Sequence, residues 1–272
     1  MTPARLLPES PGYPVGLHDL EEPPPIWLLG TLAPAPGIAV VGTRRCTRYG
    51  IDLAESFGAV IARAGWTTVS GLARGIDAAA HRGCCLVGGH GVAVLGSGVD
   101  VCYPAENLSI YDRLLATGGG VISEYAPGTR PDRWRFPARN RILAAISAAI
   151  VVVEAAATGG ALITARLGAE IGRPVFVVPG DVDRETSEGC NRLIRDGAHP
   201  VLGASDLIEE LTLVVGPPAP RLGTEHGIPA EGIQVSDLPG VWSLSLTETL
   251  VKLGRLEMEG KVRRLGDTVL PA

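Results

Sequence analysis

Short apolar runs alternate with longer segments of helical periodicity between residues 37 and 211. The runs are apolar throughout, which is typical of parallel strands covered by helices on both faces. They predict strands at residues 38–41, 67–70, 92–95, 120–123, 149–153 and 174–178, and a weaker strand at 199–202. The segments between them predict helices at residues 49–64, 75–87, 107–117, 139–147, 160–171 and 190–196. Right-handed crossovers then give an α/β fold with a doubly wound parallel sheet.

The pattern differs before this domain, which we place at residues 38–211. Residues 1–37 hold nine prolines and lack sustained periodicity, apart from a short apolar piece at residues 26–29. Prolines interrupt both helices and sheet ladders. We therefore expect residues 1–37 to form an N-terminal arm and not a domain of their own.

The pattern changes again after the domain. Residues 212–240 are rich in proline and predict a linker. In residues 241–272, Ser245 and Glu248 have the spacing of a capping box, and leucines then recur at helical spacing. Residues 261–270 have the pattern of a two-stranded hairpin. These features predict a small winged-helix-like domain; the alternative is a terminal helix and hairpin that only pack.

The composition supports a globular α/β protein. The chain has 272 residues, of which 46% are hydrophobic, and it carries a net charge of −5. That charge excludes a protein that binds nucleic acid through bulk basicity, so any such site must be a local patch. No apolar run reaches the length of a membrane span, and we expect a cytoplasmic protein. Five cysteines without C-x-x-C spacing or histidine partners at metal-ligand intervals predict neither a metal site nor a cofactor.

The most unusual stretch covers residues 130–141 and reads RPDRWRFPARNR. It holds five arginines and one acid, in a chain that is acidic overall. Trp134 and Phe136 lie between guanidinium groups, a mixture that suits a groove that tracks phosphates and stacks bases. The alternative is a solvated cationic face at the start of a helix.

Glycine-rich turns follow several of the predicted strands. Gly42 opens the turn after the first strand and precedes Thr43, Arg44 and Arg45, while Gly160 follows the fifth strand. In a parallel sheet these turns share one edge, where backbone amides and helix N-termini bind anions. Neither a dinucleotide fingerprint nor a Walker sequence occurs in the chain. The turns and the arginine stretch together predict a phosphate-tracking edge.

Four residues are the candidates for catalysis, namely Ser70, Asp77, His81 and Glu154. Asp77 and His81 stand four apart on one predicted helix without an evident nucleophile, and we favour packing and capping roles for both. Glu154 follows the fifth strand, where a sugar-phosphate centre would lie. An acid is also favoured there by a helix N-terminus, so the two interpretations of Glu154 stay open.

A series of motifs resembles the DNA processing protein A family (DprA, also called Smf) in order and spacing over residues 13–211. The motifs are Val41-Gly42-Thr43-Arg44, the segment 70–77 with Ala80-His81, Tyr103-Pro104-Ala105-Glu106-Asn107, Phe136-Pro137-Ala138-Arg139-Asn140-Arg141, Gly160-Ala161-Leu162-Ile163-Thr164-Ala165, Val178-Pro179-Gly180 and the segment 189–194. The resemblance implies an extended Rossmann-like fold and a non-enzymatic protein. It also implies single-stranded DNA binding, homodimer formation and the loading of RecA onto strands held by single-strand-binding protein, in natural transformation and recombination.

The resemblance also implies roles for individual residues. Arg44 matches an arginine used on DNA phosphates, Arg133 a basic position, and Phe136 a phenylalanine at the DNA groove. Gly42 and Gly160 belong to the glycine turns that are expected to contact the DNA strand. Which of the remaining motif residues contacts DNA and which braces the fold is left open; these are Arg139, Asn140 and Arg141.

The mechanism expected from these residues is a binding cycle without a chemical step. Phosphates would lie along Arg44, Arg133 and Arg139, while bases stack on Phe136. Contacts of this kind do not read the sequence of the strand.

The sequence departs from the family in two respects. The helical N-terminal domain of many members is not expected here, because only about 37 residues precede the first strand. The C-terminal unit is shorter than the usual winged helix. Two other functions also remain: a nucleotide-binding enzyme of the phosphoribohydrolase type, which would use Glu154 and the turn at Gly159 and Gly160, and a scaffold that binds only protein.

Overall fold

The computed structural model describes residues 1–33, 36–217, 228, 232–242 and 244–271. The chain divides into two compact units, Met1–Pro218 and Ala219–Ala272. In the predicted linker, residues 218–227 and 229–231 lie outside the described residues.

Within the described part of the first unit, nine strands form one sheet in the order β1-β2-β6-β5-β4-β3-β7-β8-β9. The strands are β1 (Ala4–Leu6), β2 (Ile26–Gly30), β3 (Gly37–Val41), β4 (Thr67–Ser70), β5 (Gly91–Val94), β6 (Gly120–Ser123), β7 (Ser147–Val152), β8 (Val175–Val177) and β9 (His199–Pro200). The helices are α1 (Arg48–Ala64), α2 (Ile76–Leu86), α3 (Leu108–Ala116), α4 (Arg135–Ala145), α5 (Gly160–Glu170), α6 (Glu185–Arg195) and α7 (Ala204–Val215). In this order, every pair of neighbouring strands from β6 through to β9 is parallel. This arrangement confirms the predicted doubly wound, Rossmann-like fold.

The sheet is buried on both faces, as its continuous apolar strands predicted. Ile38 and Val40 of β3 pack on one face with Phe57 of α1. Ala39 points to the other face and packs in the core that contains Ile142 of α4. Alternation of side chains along a strand thus places helices on both sides of the sheet.

Two segments of the expected N-terminal arm, within residues 1–33, form strands of the sheet. β2 pairs antiparallel with β6, and β1 pairs antiparallel with β2. Ile26 and Leu17 are fully buried in the core. Both strands are short and lie between proline-rich segments, so their sequence carries little strand signal of its own.

Three helices differ from the expectation, and one of them is α6, which begins at Glu185, five residues before its predicted start. α4 begins at Arg135, four residues before the predicted start, so Phe136 lies in its first turn. α7 was not predicted. It packs on the sheet through Leu207 and Leu211, which are fully buried. Among the described residues, no helix is long and apolar enough to cross a membrane.

The second unit contains a small antiparallel sheet in the order β10-β12-β11. Its elements are β10 (Ile233–Gln234), α8 (Leu238–Trp242), α9 (Leu246–Met258), β11 (Val262–Leu265) and β12 (Thr268–Pro271). Ser245 and Glu248 form the predicted capping box at the start of α9. Leu253 and Val269 lie in a separate small core. The hairpin is thus present, while the winged-helix assignment stays a prediction.

Candidate nucleic-acid interface

A groove of about 640 Å³ lies at the carboxyl ends of the central strands. It is lined by the turn after β3, the loop before α5 and the first turn of α4. The strand order reverses between β3 and β7, and parallel sheets bind ligands in the crevice at such a point. The groove therefore occupies the position at which this fold most often holds a ligand.

Gly42 allows the turn after β3 to lie close to its neighbours. A Cβ at this position would lie 2.5 Å from Cγ1 of Ile76 and 2.9 Å from the carbonyl oxygen of Glu154. The amide of Thr43 donates to that same oxygen at 2.7 Å, which ties the turn to the end of β7. The chain then leaves the sheet, so Arg44 and Arg45 are exposed at the groove.

An aromatic stack forms one wall of the groove. Tyr103 and Phe136 are stacked, with their ring centroids 5.4 Å apart and their planes inclined by 26°. The guanidinium carbon of Arg44 lies 5.2 Å from the centroid of Phe136. Phe136 is half-buried, whereas 45% of Tyr103 is exposed. The stack thus offers a flat aromatic surface beside a cation, as the binding of unpaired bases requires.

Tyr103 belongs to one of the family motifs, but sequence reasoning gave it no part in binding. Its position after the third predicted strand placed it near the correct edge of the sheet. The contact with Phe136 joins residues 33 positions apart in the chain, and no local pattern encodes that pairing.

Three arginines at the groove lack an acidic partner among the described residues. Arg44, Arg45 and Arg133 line it, and none of the three forms a salt bridge within the part of the chain that the structure describes. Arg74, by contrast, pairs with Glu106 at 2.6 Å. Unpaired arginines at a concave site attract a polyanion and pair its phosphates bidentately.

Arg139 braces the fold. Only 5% of it is exposed, and its guanidinium donates to the carbonyl oxygens of Gly71, at 2.7 Å, and of Val94. Its Nε donates to Oδ1 of Asn140 at 3.1 Å. Burial lowers the pKa of Arg139, and the nearby carboxylate of Asp77 opposes that shift. A guanidinium bound to three oxygens ties the ends of β4 and β5 to α4, which gives Arg139 a bracing role. The residue also lines the groove, and its expected place along the phosphates stays a prediction.

Asn140 and Arg141 also have partners within the fold. Asn140 is buried, and its Nδ2 donates to the carbonyl oxygen of Gly160 at 3.2 Å, which links α4 to the start of α5. Arg141 pairs with Glu124 at 2.6 Å and lines a separate cavity with Asp19. Of the three adjacent motif residues, Arg141 thus lies outside the groove.

Gly160 begins α5 at the floor of the groove. A Cβ at this position would meet only Nδ2 of Asn140, at the ordinary contact distance of 3.6 Å. The protein itself therefore does not require glycine here. Because Gly160 has no side chain, the N-terminus of α5 is open to an anion in the groove.

Glu154 forms hydrogen bonds with the start of α1. Its Oε2 accepts from the amide of Thr47 at 2.8 Å, and its Oε1 accepts from the hydroxyl of Thr47 at 2.6 Å. Only 4% of the residue is exposed. Of the two interpretations left open for Glu154, the structure agrees with support of a helix N-terminus.

Asp77 and His81 are both buried in α2. Asp77 accepts from the amides of Gly71 and Ala73 at 3.1 and 3.4 Å, which caps the turn before α2. Burial lowers the pKa of His81 to about 4. The packing and capping roles expected of these residues agree with this geometry. No cluster of three or more metal-ligating side chains occurs within the described ranges.

Fold and groove together define a Rossmann-like α/β protein with a cationic, aromatic-lined groove at its topological switch point. The profile of the DNA recombination-mediator protein A family matches residues 4–212. The chain belongs to this family, which confirms the resemblance of its motifs to DNA processing protein A.

Related proteins agree with this assignment. The Smf protein of Synechocystis is 41% identical over 216 residues, which cover 77% of this chain and 54% of that protein. DNA processing protein A of Streptococcus pneumoniae superposes with a TM-score of 0.70 at 37% identity, over 76% of this chain and 74% of that one. The Helicobacter pylori protein, for which a single-stranded DNA binding mode is described, gives 0.69 at 26% identity, over 78% and 96%. This chain thus spans about half the length of the Synechocystis relative.

Proposed function

We propose that this protein binds single-stranded DNA in the groove and acts as a mediator of DNA recombination. One observation carries the proposal: three arginines without acidic partners among the described residues stand beside a stacked aromatic pair at the switch point. Phosphates and unstacked bases are the two features that this surface can bind at once. Family membership and the single-stranded DNA binding described for the Helicobacter pylori relative support the same conclusion.

The groove suggests how a strand is held. Phosphates lie along Arg44, Arg45 and Arg133, while the open N-terminus of α5 at Gly160 adds backbone amides. A base stacks on the aromatic surface that Phe136 supports. Stacking of this kind requires a base that is free of its duplex neighbours, so a single strand is preferred over a duplex. Contacts to phosphates and ring faces do not distinguish sequences.

A binding function, without catalysis, is part of the proposal. The carboxylate best placed for nucleotide hydrolysis, Glu154, is buried and accepts two hydrogen bonds from Thr47. A phosphoribohydrolase needs a carboxylate that can reach its substrate. Release of free base from nucleoside monophosphates, followed by chromatography, would revive the enzymatic alternative.

The first experiment is fluorescence anisotropy with a labelled oligo-dT and a matched duplex, across a salt series. Arg44→Ala should weaken binding and reduce the salt slope by about 0.7, the value for one lost contact to single-stranded phosphate. Arg63→Ala is the matched control, because Arg63 is an exposed arginine at the far end of α1, away from the groove. No binding by the wild type at low salt, or an equal loss in both variants, would overturn the proposal.

The proposal extends to the family's cellular role. We infer that the protein forms a homodimer and loads RecA onto strands covered by single-strand-binding protein, during natural transformation and recombination. Support for this role comes from family membership. The wild type should shorten the lag of RecA's DNA-dependent ATPase on such covered strands, and Arg44→Ala should not. An unchanged lag with a DNA-binding wild type would reject RecA loading while leaving DNA binding intact.

A further inference from the structure

A second aromatic and cationic cluster lies beyond the end of β6, outside the groove. The guanidinium carbon of Arg135 lies 4.8 Å from the ring centroid of Tyr125 and 5.1 Å from that of Trp134. The two rings meet edge to face, with centroids 5.9 Å apart. Although 58% of Trp134 is exposed, the groove lining does not include it. The DNA path through the groove therefore leaves this tryptophan unexplained.

Trp134 is held in place, unlike an isolated surface side chain. Its indole Nε1 donates to Oδ2 of Asp132 at 2.9 Å, and Oδ1 of Asp132 accepts from the amide of Arg133 at 2.6 Å. Arg135 packs against the indole and donates to the carbonyl oxygen of Arg130. A ring fixed in this way loses little conformational entropy when a flat partner stacks on it.

The surroundings of Trp134 are cationic. Arg130 and Arg133 are exposed and form no salt bridge with any described residue. Of the acids nearby, Glu124 pairs with Arg141, whereas Asp132 accepts from neutral groups, so one carboxylate offsets part of the cationic charge. An exposed indole among guanidinium groups has the chemistry of a stacking platform for single-stranded nucleic acid.

The cluster lies next to the groove. Phe136 is packed against Gly96, which follows β5, whereas Tyr125 follows β6, and these two strands are neighbours in the sheet. Neighbouring strands are about 4.8 Å apart. Positions two apart at a helix start point to opposite sides, so the first turn of α4 separates Trp134 from Phe136. Arg133 lines the groove and immediately precedes Trp134, so it connects the two surfaces.

We propose that Trp134 is a second base-stacking platform, which holds a nucleotide of the single strand after it leaves the groove past Arg133. This inference rests on the proposed function and deepens it, because it extends the bound segment by one or two nucleotides. Trp134 acts only on strands long enough to reach it, and this length dependence distinguishes its role from that of Phe136.

The test is anisotropy with labelled oligo-dT of 4 to 16 nucleotides on the intact chain. Trp134→Ala should bind the shortest oligonucleotides like the wild type, and should lose about tenfold in affinity for longer ones. Trp134→Phe should retain most of that affinity. Phe136→Ala, by contrast, should weaken binding at every length. Tyr49→Ala is the matched control, because Tyr49 is an exposed aromatic residue that lines a different cavity.

A second readout identifies the nucleotide. A single abasic spacer is placed at successive positions of a long oligonucleotide. At one of these positions the spacer should weaken binding to the wild type but not binding to Trp134→Ala. Equal affinity of wild type and Trp134→Ala at every length would overturn the inference, and so would an equal loss at all lengths. If the wild type binds no oligonucleotide, the proposed function itself fails instead.

Discussion

At the scale of single residues, Arg44 and Arg139 show that arginines of one site can have different tasks. Arg139→Ala removes a buried donor from the carbonyl oxygens of Gly71 and Val94, and each unsatisfied group costs about 1–3 kcal/mol. We expect a loss of roughly 2–5 kcal/mol in the free energy of unfolding, measured by urea denaturation. Arg44→Ala should leave that energy nearly unchanged and lower DNA affinity instead. An Arg139→Ala variant with wild-type stability and reduced DNA affinity would contradict the bracing role.

Tyr103 gives the second prediction at this scale. Because it is stacked on Phe136 with its own ring partly exposed, Tyr103→Ala should lower single-stranded DNA affinity by about tenfold, within the 1–3 kcal/mol that a stacked base contributes. Tyr103→Phe keeps the ring and should bind like the wild type. Anisotropy measures both variants, and thermal unfolding should show little change. Wild-type affinity in Tyr103→Ala would mean that bases stack elsewhere.

At the scale of elements, the start of α1 depends on the end of β7. The hydroxyl of Thr47 accepts from the amide of Gly50 at 3.1 Å and donates to Glu154. Thr47→Val keeps the shape but removes both bonds, so it should destabilise the protein by about 1–2 kcal/mol, the usual cost of a lost N-cap. Thr47→Ser retains the hydroxyl and should restore most of that loss in urea denaturation. Equal stability of the valine variant and the wild type would argue against this link between helix and sheet.

At the scale of the whole molecule, stability should depend on pH through His81. Its pKa is lowered to about 4 by burial, whereas in the unfolded chain it has its ordinary value of 6.5. Between these values the unfolded state binds more protons, so stability falls as pH falls, by about 3 kcal/mol in total. Burial raises the pKa of Asp77, which acts in the opposite direction.

The measurement must therefore compare two proteins. Urea denaturation of the wild type and of His81→Leu at pH 7, 5.5 and 4.5 isolates the contribution of His81, because Asp77 is present in both. The variant should lose less stability than the wild type as pH falls. Parallel curves for the two proteins would show that His81 does not titrate differently in the folded state.

Local sequence patterns predict much of the architecture. Continuous apolar runs indicate parallel strands wherever they occur, because a strand covered on both faces has no polar side. The turns after those strands share one edge, so the sequence by itself assigns Gly42, Arg44 and Gly160 to a common site. The motifs around Phe136 then identify the family.

Tertiary structure alone decided which side of a helix each motif residue faces and which distant segments meet. Arg139 is buried, whereas Arg141 pairs with Glu124. Arg139 and Arg141 are separated by only one residue, but the orientation of α4 on the sheet points their side chains in different directions. The strands within residues 1–37 exist because β6 offers an unpaired edge. Tyr103 meets Phe136 through the fold and not through their spacing. Local periodicity encodes whether a segment is buried, whereas the partner that buries it is a property of the whole chain.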